Sequence, residues 1–436
     1  MNRVFFYFYI MNISAIFELY LKHRKVTTDT RKIEKNAIFF ALKGENFNGN
    51  KFAEQAIEQG AIAAIVDEKE FENIAKNIFY VKDSLIALQD LAKAYRRSLK
   101  IPFIGLTGSN GKTTTKELIA STLKEKYNVH YTFGNLNNHI GVPLTILSIP
   151  QDTEIAVIEM GANHQKEIEF LCTISMPNYG YITNFGKAHL EGFGGFEGVI
   201  KGKSELYNFL RNNQRTAFVN LGDHIQVEKT EDIDRITFGE NSGKYQIELV
   251  KNNTDFIAVK SENIVIQTNL TGNYNFSNIS CAIAIGKHFN LTIEEIKKGL
   301  EGYYPTNNRS QIIIKDNYKI VMDAYNANPS SMAASLKNFK NFEGSKIVIL
   351  GDMFELGITS KEEHEDIIRK AIKKNFNKIF LIGQNFSNTS ITADNIIKFE
   401  SRASFETYMA SNKLIADNIL IKGSHGMRLD LLENKL

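Results

Sequence analysis

Apolar and polar residues alternate along the chain in two patterns that together indicate an α/β protein. Short continuous apolar runs are typical of strands buried on both faces of a parallel sheet, and they recur at IPFIGL (101–106), EIAVIEMG (154–161) and YGYITNFG (179–186). Amphipathic stretches at residues 85–100 and 116–127 lie beside these runs and predict helices. This alternation of strand and helix is the pattern of a parallel α/β sheet.

The alternation falls into three blocks, which predict three domains. The first, residues 1–98, reads as a small α/β domain, and the second, residues 99–308, as a parallel-sheet domain. Within the second block, residues 246–270 have short alternating runs and Asn-rich turns that predict antiparallel strands. The third block, residues 309–436, again has a doubly wound pattern, with strand-like runs at YKIVMDAY (318–325), KIVILGD (346–352), KIFLIGQ (378–384) and NILIKGS (418–424).

The net charge, the two cysteines and the N-terminal apolar run indicate which classes of protein are unsupported by the sequence. The 436 residues are 43% hydrophobic and carry a formal charge of only +3, which does not indicate a nucleic-acid-binding protein. Cys172 and Cys281 lie far apart without ligand spacing, so we expect both to be buried and reduced. The aromatic run at residues 1–10 is too short to span a membrane. No small-residue cleavage site follows it, so an extension before a start at Met11 is favoured over a signal peptide.

The stretch GLTGSNGKTTT (105–115) predicts a phosphate-binding loop. Such a loop needs glycines for close backbone approach, a helix N-terminus behind it and a lysine for charge, and this stretch has all three between a strand and a helix. The strict G-x-x-x-x-G-K-[ST] pattern is not met, because Leu106 stands at the first glycine position; a glycine turn capping an ordinary helix is the alternative. The predicted ATP contacts are Thr107, Gly108, Ser109, Asn110, Gly111, Lys112, Thr113 and Thr114.

Three further residues follow predicted strands of the same block and are candidates for the chemistry. Glu159 ends the EIAVIE run, His189 follows the YGYIT run, and Lys203 lies fourteen residues later. Ligands collect at the carboxyl ends of parallel strands, and a carboxylate there suits Mg²⁺. By themselves, a helix-capping glutamate, a histidine without a ligand and a surface lysine remain the alternatives.

Eight motifs in order carry a resemblance that covers the chain after about residue 12. They are TGSNGKTTTKE, NLNNHIGVPLTIL, EMGANHQKEI, TNFGKAHLEGFG, GNYNFSNISCAIA, DAYNANPSSM, LGDMFELG and KGSHGMRLD, and together they resemble the Mur ligase family. DAYNANPSSM and LGDMFELG favour the family's enzyme that adds D-alanyl-D-alanine to UDP-N-acetylmuramoyl-tripeptide. The Asn-Pro-Arg motif of the ligase that adds the third amino acid is missing from the sequence.

The resemblance implies roles for residues in each block. Lys112, Glu159, His189 and Lys203 would be catalytic, and Thr113, Glu159, His189 and Lys203 would hold Mg²⁺, with Lys203 modified to N6-carboxylysine. Asn138 would lie near the phosphates, and Asn275, Asn278, Arg309 and Asp323 would contact ATP. The implied contacts of the UDP substrate are Thr28, Asp29, Thr30, Arg31, Lys43, Gly44, Asn48, Gly49 and Asn50. The implied contacts of the dipeptide and peptide end are Asn326, Asn328, Ser331, Asp352, Glu355, His364, Lys422 and Arg428.

The implied activity is an ATP-dependent, ADP-forming peptide ligation through an acyl phosphate, in peptidoglycan precursor synthesis in the cytoplasm. ATP and Mg²⁺ are the implied cofactors, small-molecule substrates the implied partners, and a monomer the implied state, with no membrane span. His425 and Gly426 depart from the family's usual Arg-Ser in the last loop. Another amide ligase of the superfamily, such as a folylpolyglutamate-type synthase, and a P-loop ATPase that drives a conformational switch are the alternatives. The sequence leaves open whether diaminopimelate or lysine is the acceptor's third residue.

Overall fold

The computed structural model describes residues 13–251, 254–306, 308–315 and 317–436. The predicted extension at residues 1–10 lies outside them. The chain divides into two compact units, which are described separately. Unit 1 comprises residues up to Gly105 together with Asn128–Met160 and Glu169–Asn178; unit 2 comprises Leu106–Tyr127, Gly161–Ile168 and Tyr179–Leu436.

The strands of the described residues are short, and most are apolar. In chain order they are β1 Val26–Thr27, β2 Ile38–Phe40, β3 Lys43–Gly44, β4 Phe47–Asn48, β5 Ala63–Val66, β6 Ile78–Tyr80, β7 Phe103–Thr107, β8 Val129–Tyr131, β9 Ile155–Glu159, β10 Tyr179–Ile182, β11 Thr216–Asn220, β12 Arg235–Gly239, β13 Tyr245–Gln246, β14 Glu248–Val250, β15 Phe256–Ser261, β16 Ile264–Thr271, β17 Gln311–Lys315, β18 Tyr318–Asp323, β19 Lys346–Gly351, β20 Lys378–Ile382, β21 Ile396–Phe399 and β22 Asn418–Lys422.

The helices lie mainly between these strands. In chain order they are α1 Ile13–His23, α2 Ala53–Glu58, α3 Ser84–Ser98, α4 Lys112–Leu123, α5 Gly141–Leu147, α6 Glu167–Ser175, α7 Leu190–Phe193, α8 Phe196–Lys203, α9 Glu205–Asn212, α10 His224–Lys229, α11 Phe276–His288, α12 Ile293–Glu301, α13 Pro329–Phe339, α14 Ser360–Ile372, α15 Gln384–Ser387 and α16 Arg402–Ser411. None of the helices in the described residues is long and apolar enough to cross a membrane.

Unit 1 is built on parallel strands. One sheet has the order β1-β2-β5-β6, and all its pairs are parallel. The hairpin β3–β4 is separate from it, while β8 and β9 form a parallel pair to which the first residues of β7 are added. Side chains of β2, β5, β6 and α2 form a small apolar core that includes Phe39, Val66 and Ile78. This sheet and its core lie within residues 1–98, the N-terminal block predicted from the sequence, and the bounds of that block stay a prediction.

Unit 2 contains the end of β7 and three groups of strands. From the end of β7 the order continues as β10-β11-β12-β13, and the pairs from β10 to β13 are parallel. Strands β14, β15 and β16 are antiparallel, as predicted for residues 246–270. The last sheet has the order β17-β18-β22-β19-β20-β21 and is parallel except for β17 at its edge.

A buried arginine joins α3 to the segment that precedes β10 within unit 1. Arg96 donates from Nε to the Ser175 carbonyl and from Nη2 to the Met176 carbonyl, both at 2.7 Å, and also reaches Asn178 Oδ1 at 3.2 Å. Its guanidinium lies 3.6 Å from the centre of the Phe103 ring. Since backbone carbonyls buried without a donor are costly, Arg96 has a structural role.

We expect Arg96→Met to lower the free energy of unfolding by about 3 kcal/mol, because two buried carbonyls lose their donors. The measurement is the urea midpoint followed by circular dichroism. Arg97→Met is the matched control, since Arg97 is the exposed neighbour on the same helix, and surface changes usually stay within about 0.5 kcal/mol. Equal losses in the two variants would contradict this role.

Candidate functional site

The predicted phosphate loop connects the end of β7 to the start of α4. Gly108 has φ +142° and Gly111 has φ +78°, both in the region that favours glycine. A Cβ at Gly108 would come within 2.0 Å of Thr183 Oγ1, and one at Gly111 within 2.8 Å of Asn278 Oδ1. Both glycines are therefore required by close approach as well as by φ, which is the backbone geometry that the sequence pattern predicts for an anion-binding loop.

Two residues after β10 fix the loop, and the sequence reasoning gave neither a role. Asn184 accepts the Asn110 N–H at its Oδ1 (3.1 Å), and its Nδ2 donates to the Asn110 carbonyl at 2.9 Å. Thr183 Oγ1 donates to the same carbonyl at 2.6 Å. Ser109 donates from Oγ to the Gly186 carbonyl at 2.8 Å. The signal that could have found Thr183 and Asn184 is their position at the end of a strand beside the loop.

Lys112 is the first residue of α4 and lies over the loop. Its Nζ donates to the Gly108 carbonyl at 2.8 Å and lies 3.5 Å from the Ser109 carbonyl. The next two residues, Thr113 and Thr114, are buried in the first turn of the helix, where backbone N–H groups have no partner within the helix. The loop thus combines a cation with a helix N-terminus, which favours a bound anion.

We expect Gly108→Ala to weaken ADP binding more than tenfold and to lower the thermal midpoint, because the added methyl group would overlap Thr183. Isothermal titration calorimetry measures the first effect and a thermal scan the second. Gly194→Ala is the matched control, since Gly194 also has positive φ (+75°) but open space around its Cβ position. Comparable loss of ADP binding in both variants would mean that backbone strain, rather than the contact with Thr183, is responsible.

Lys203 is buried in unit 2 near the phosphate loop. It is 1% exposed, donates from Nζ to the Ala162 carbonyl at 3.0 Å and lies 4.9 Å from the centre of the Phe193 ring. Burial, and then the charge of Lys112, lower the pKa of the Lys203 ammonium well below its ordinary value, against the opposing effect of Glu167 and Glu205. The surface-lysine alternative is wrong, and the amine is favoured in its neutral, nucleophilic form.

His189 precedes α7 and contacts a residue of the third block. It adopts a left-handed backbone conformation (φ 51°), and its Nδ1 is paired with the Glu355 carboxylate. This pairing, more than the opposing burial, lowers the pKa of Glu355. Glu355 was predicted to meet the peptide substrate; in the structure it holds the ring of His189. Histidines that bind metals commonly have their other nitrogen held by a carboxylate in this way.

Glu159 lies in unit 1, where it is the last residue of β9. It is 1% exposed; its Oε1 accepts a hydrogen bond from Asn137 Nδ2 at 2.8 Å, and its backbone N–H donates to Thr132 Oγ1 at 2.9 Å. Asn138 accepts the N–H groups of Ile140 and Gly141 and so orders the turn before α5. Glu159 is therefore held at a strand end, as predicted, by Asn137 of the NLNNHIG motif and by Thr132, which precedes the motif.

The residues proposed for Mg²⁺ can be compared with the way in which proteins usually hold this ion. Across the described ranges, no group of three or more His, Cys, Asp and Glu side chains is arranged to hold a metal ion. Mg²⁺ binds reluctantly to such cages and is usually held by one or two carboxylates, waters and substrate phosphates. A helix-start hydroxyl (Thr113), a carboxylate-supported histidine (His189) and an amine that could become a carbamate (Lys203) fit that mode of binding.

Asn275 and Asn278, predicted to contact adenine, are buried and bonded to protein groups. Asn278 accepts from Thr115 Oγ1 at 3.0 Å and donates to Asn275 Oδ1 at 2.8 Å, and Asn275 donates to the Thr271 carbonyl at 2.8 Å. The hydrogen bond between Thr115 and Asn278 connects α4 to the start of α11. The structure therefore gives them a packing role behind the phosphate loop, and the adenine contact stays a prediction.

Asp323 pairs with Lys422 in the third block, and Arg309 stacks on the Tyr325 ring. Lys422, 2% exposed in its side chain, donates to Asp323 Oδ2 at 2.7 Å and to the Asn326 carbonyl at 3.1 Å. The Arg309 guanidinium stacks 3.7 Å from the centre of the Tyr325 ring, and that ring is also packed against His425. The charge of Lys422 is thus balanced by that of Asp323. The Arg309 Nε, by contrast, is buried without a hydrogen-bond partner among the described residues.

The DAYNANPSS motif places α13 against the phosphate loop. Asn328 caps α13 by accepting the Ser331 N–H at 2.9 Å, while its Nδ2 donates to Asn110 Oδ1 at 2.7 Å. Asn326 accepts the Ala327 N–H at its side chain. Asn328 therefore connects a predicted substrate-binding motif of the third block directly to the phosphate loop.

Asp352 and His364 are interior residues. Asp352 accepts the N–H groups of Asn385 and Phe386, each at 2.9 Å, and burial raises its pKa. His364 is fully buried, and burial lowers its pKa. Its Nε2 accepts the Met353 N–H and its Nδ1 lies 2.6 Å from the Ser360 carbonyl, so the ring is neutral. Both residues order the LGDMFELG loop; Arg428, by contrast, has an exposed side chain near Asp430.

The predicted UDP segment of unit 1 is an ordered polar region. Asp29 accepts the Arg31 N–H and forms a two-point pair with its guanidinium, which lowers the pKa of Asp29 to about 2. Asn50, fully buried, accepts the Asp67 N–H and donates to Asp67 Oδ1, while Lys43 pairs with Asp67. Other predicted contacts of this region lie beside them: Thr28, Thr30, Gly44, Asn48 and Gly49.

Comparison with known proteins identifies the family. Family models describe residues 23–99 as a Mur ligase catalytic domain, 106–286 as a Mur ligase middle domain and 308–425 as a Mur ligase glutamate ligase domain. The chain is 36% identical to the UDP-N-acetylmuramoyl-tripeptide–D-alanyl-D-alanine ligase of Bacillus subtilis, over 94% of this chain and 93% of that protein, and 32% identical to the Escherichia coli enzyme of that name, over 93% and 92%.

Solved structures agree with the sequence relatives. MurF from Acinetobacter baumannii matches with a TM-score of 0.85 and 30% identity, over 94% of this chain and 93% of that one. MurF from Thermotoga maritima in complex with ADP matches with a TM-score of 0.83 and 25% identity, over 95% and 97%. The predicted α/β fold class is confirmed. As its motifs predicted, the chain belongs to the Mur ligase family.

Proposed function

We propose that the protein joins D-alanyl-D-alanine to UDP-N-acetylmuramoyl-tripeptide with hydrolysis of ATP to ADP and phosphate. The observation that carries the proposal is the phosphate loop of unit 2, where Lys112 begins a helix N-terminus and buried Lys203 feels its charge. Relatives named for this ligation match over 94% and 93% of the chain. Asn328 of the DAYNANPSS motif bonds to Asn110 of the same loop, and Glu355 of the LGDMFELG motif pairs with His189. A solved folylpolyglutamate synthase from Mycobacterium tuberculosis is similar in fold alone, with 12% identity and a TM-score of 0.60.

The first step makes the tripeptide carboxylate reactive. One of its oxygens attacks the γ-phosphorus, the bond from that phosphorus to the β-phosphate oxygen breaks, and ADP leaves with the bonding electrons. Charge spreads over the oxygens of the transferring phosphoryl group. Lys112 and the N–H groups of the loop and the first turn of α4 stabilise it, because they are held in place by Asn184, Thr183 and Asn328.

The second step forms the amide. The neutral amine of D-alanyl-D-alanine attacks the acyl carbon, the tetrahedral centre collapses, and phosphate leaves while the nitrogen loses a proton. His364 is unsuited to accept that proton, because its ring is fully buried and both its nitrogens face backbone groups. We therefore assign it to positioning of the 352–356 loop. The contact of Asn328, at the start of α13, with Asn110 of the phosphate loop would help to exclude water from the acyl phosphate.

Mg²⁺ is part of the proposal, with Thr113, Glu159, His189 and Lys203 as the residues that would hold it. It would supply positive charge beside the phosphate oxygens. His189 is suited to this role because Glu355 holds its Nδ1. Lys203 would take part as its carbamate, formed when the neutral amine attacks the carbon of CO₂ and releases a proton. The lowered pKa of Lys203 favours that neutral amine, and the carbamate replaces a repelled cation with an oxygen ligand.

The remaining assignments are proposed on the resemblance. Residues 1–98 would bind the UDP end through the region of Thr28–Arg31 and Lys43–Asn50, residues 99–308 would bind ATP, and residues 309–436 would bind the amine substrate. Arg309, Asp323, Asn275 and Asn278 would contact ATP, directly or through the packing described above. A monomer acting in cytoplasmic peptidoglycan precursor synthesis completes the proposal.

The test is ADP and phosphate release by the purified protein with ATP and Mg²⁺, leaving out one substrate at a time. We expect turnover only when UDP-N-acetylmuramoyl-tripeptide and D-alanyl-D-alanine are both present, with a product heavier by one dipeptide residue. Turnover that ignores both would support a switch ATPase and overturn the proposal. Turnover with a single amino acid in place of the dipeptide would move the protein to another member of the family.

A further inference from the structure

Residues 184–191, here called the bridging segment, lie between the phosphate loop and the third block. On one side, Ser109 Oγ donates to the Gly186 carbonyl. On the other, the Lys187 N–H donates to Ser330 Oγ at 2.9 Å, and Lys187 Nζ pairs with Glu363 Oε1 at 2.5 Å. The bridging segment therefore contacts α13 and α14 on one side and the phosphate loop on the other.

The Lys187–Glu363 pair crosses between the two blocks and is partly shielded from water. The Glu363 side chain is 10% exposed, whereas that of Lys187 is 50% exposed. The hydrogen bond to Glu363 raises the pKa of Lys187, and Asp366 and Glu362 add to the effect. A carboxylate this buried is costly without its cation, so the pair favours the arrangement in which α14 and the bridging segment touch.

A second set of contacts makes the same connection. Glu355 holds the His189 ring with its carboxylate, and its backbone carbonyl accepts the Glu191 N–H at 3.3 Å. A Cβ at Gly357 would lie only 3.3 Å from that of Glu191, so the chain packs closely here. The bridging segment is thus held at Lys187, His189 and Glu191 by α14 and the loop that precedes it.

We propose that Lys187 and Glu363 form an ionic latch that holds residues 309–436 against the phosphate loop when the amine substrate reacts. Both are positioning residues, since their side chains bond to each other and not to the phosphate loop. The inference rests on the proposed assignment of the amine substrate to residues 309–436. Loss of the latch makes the assembled arrangement less populated, so more dipeptide is needed to reach the same rate.

The test is a charge swap. Lys187→Glu and Glu363→Lys are each expected to raise the KM for D-alanyl-D-alanine about tenfold, because like charges then face each other across a shielded contact, with a smaller effect on kcat. The double variant restores the attraction in reverse and is expected to return the KM to within about twofold of the parent. A purely structural role for either residue would not produce this recovery.

Lys370→Glu is the matched control, because Lys370 pairs with Asp366 on the same helix at 2.5 Å and makes that pair within α14 alone. It is expected to leave the KM for the dipeptide unchanged. Thermal midpoints and ADP affinity are measured for every variant, and the charge-neutral pair Lys187→Met and Glu363→Gln replaces any reversal that fails to fold. An additive effect of the two neutral changes on KM would count against the latch.

The outcomes separate the latch from the assignment beneath it. Single reversals that leave every KM within about twofold of the parent, or a double variant no better than the singles, would overturn the latch. A swap-dependent change in the KM of UDP-N-acetylmuramoyl-tripeptide alone would uphold the coupling between Lys187 and Glu363, but it would show that residues 309–436 do not hold the amine substrate.

Discussion

Lys112→Met is expected to lower kcat/KM for ATP by about 10²–10³-fold, because the variant loses a preorganised positive charge at the transferring phosphoryl group. The Lys112 ammonium lies on the phosphate loop itself, 2.8 Å from the Gly108 carbonyl. Methionine keeps the length and the helix propensity of lysine, so the fold of α4 is expected to persist. ADP release in the presence of both proposed substrates measures the effect.

Lys124→Met provides the control for this prediction, since Lys124 follows the last turn of the same helix and is exposed. Its rate constants are expected to stay within about twofold of the parent. A fall of less than tenfold in Lys112→Met, with ADP affinity unchanged, would mean that backbone N–H groups alone stabilise the phosphoryl charge. Phosphate binding would then remain, but the assignment of Lys112 as catalytic would fail.

The order of strands and helices was largely predictable because the local signals in this chain are strong. Continuous apolar runs identified β7, β9 and β10, and the amphipathic stretches identified α3 and α4. The antiparallel section was also predictable, since residues 246–270 alternate with the period of a half-buried strand. Strand β17 was not predicted: it is a partly exposed edge strand, and its apolar run is only the three isoleucines 312–314, which is too short to distinguish a strand from other structure.

The site was predictable as a set of residues but not as a set of contacts. The motif spacing identified Gly108, Gly111 and Lys112, because backbone conformation and charge are written locally. It could not show that Asn278 fastens α11 behind the loop or that His364 has no access to solvent, since these depend on partners 163 and 11 residues away. Long-range pairing of Glu355 with His189 is the clearest example, because nothing local in LGDMFELG indicates a histidine partner.

The charge of Lys112 acts on Lys203 as well as on the phosphate that the loop would bind. The charge of Lys112 is the second cause, after burial, of the lowered pKa of Lys203. The cation that stabilises the phosphoryl group thus also adds to burial in shifting the buried lysine towards its neutral form. Reaction with CO₂ requires that neutral amine, so the phosphate loop prepares Lys203 for the modification that we propose.

Lys203→Arg is therefore expected to lower kcat by about 10²–10³-fold, because arginine stays charged and cannot form a carbamate. Lys201→Arg is the control on the same helix, where the lysine is exposed, and it is expected to behave as the parent.

The parent protein supplies an independent measurement of the carbamate that needs no substitution. Activity should fall in CO₂-free buffer and return with bicarbonate, and native mass spectrometry should find one added CO₂ that Lys203→Arg lacks. Full activity without CO₂, together with an active Lys203→Arg variant, would contradict the carbamate and leave Lys203 as a buried neutral amine that donates to the Ala162 carbonyl.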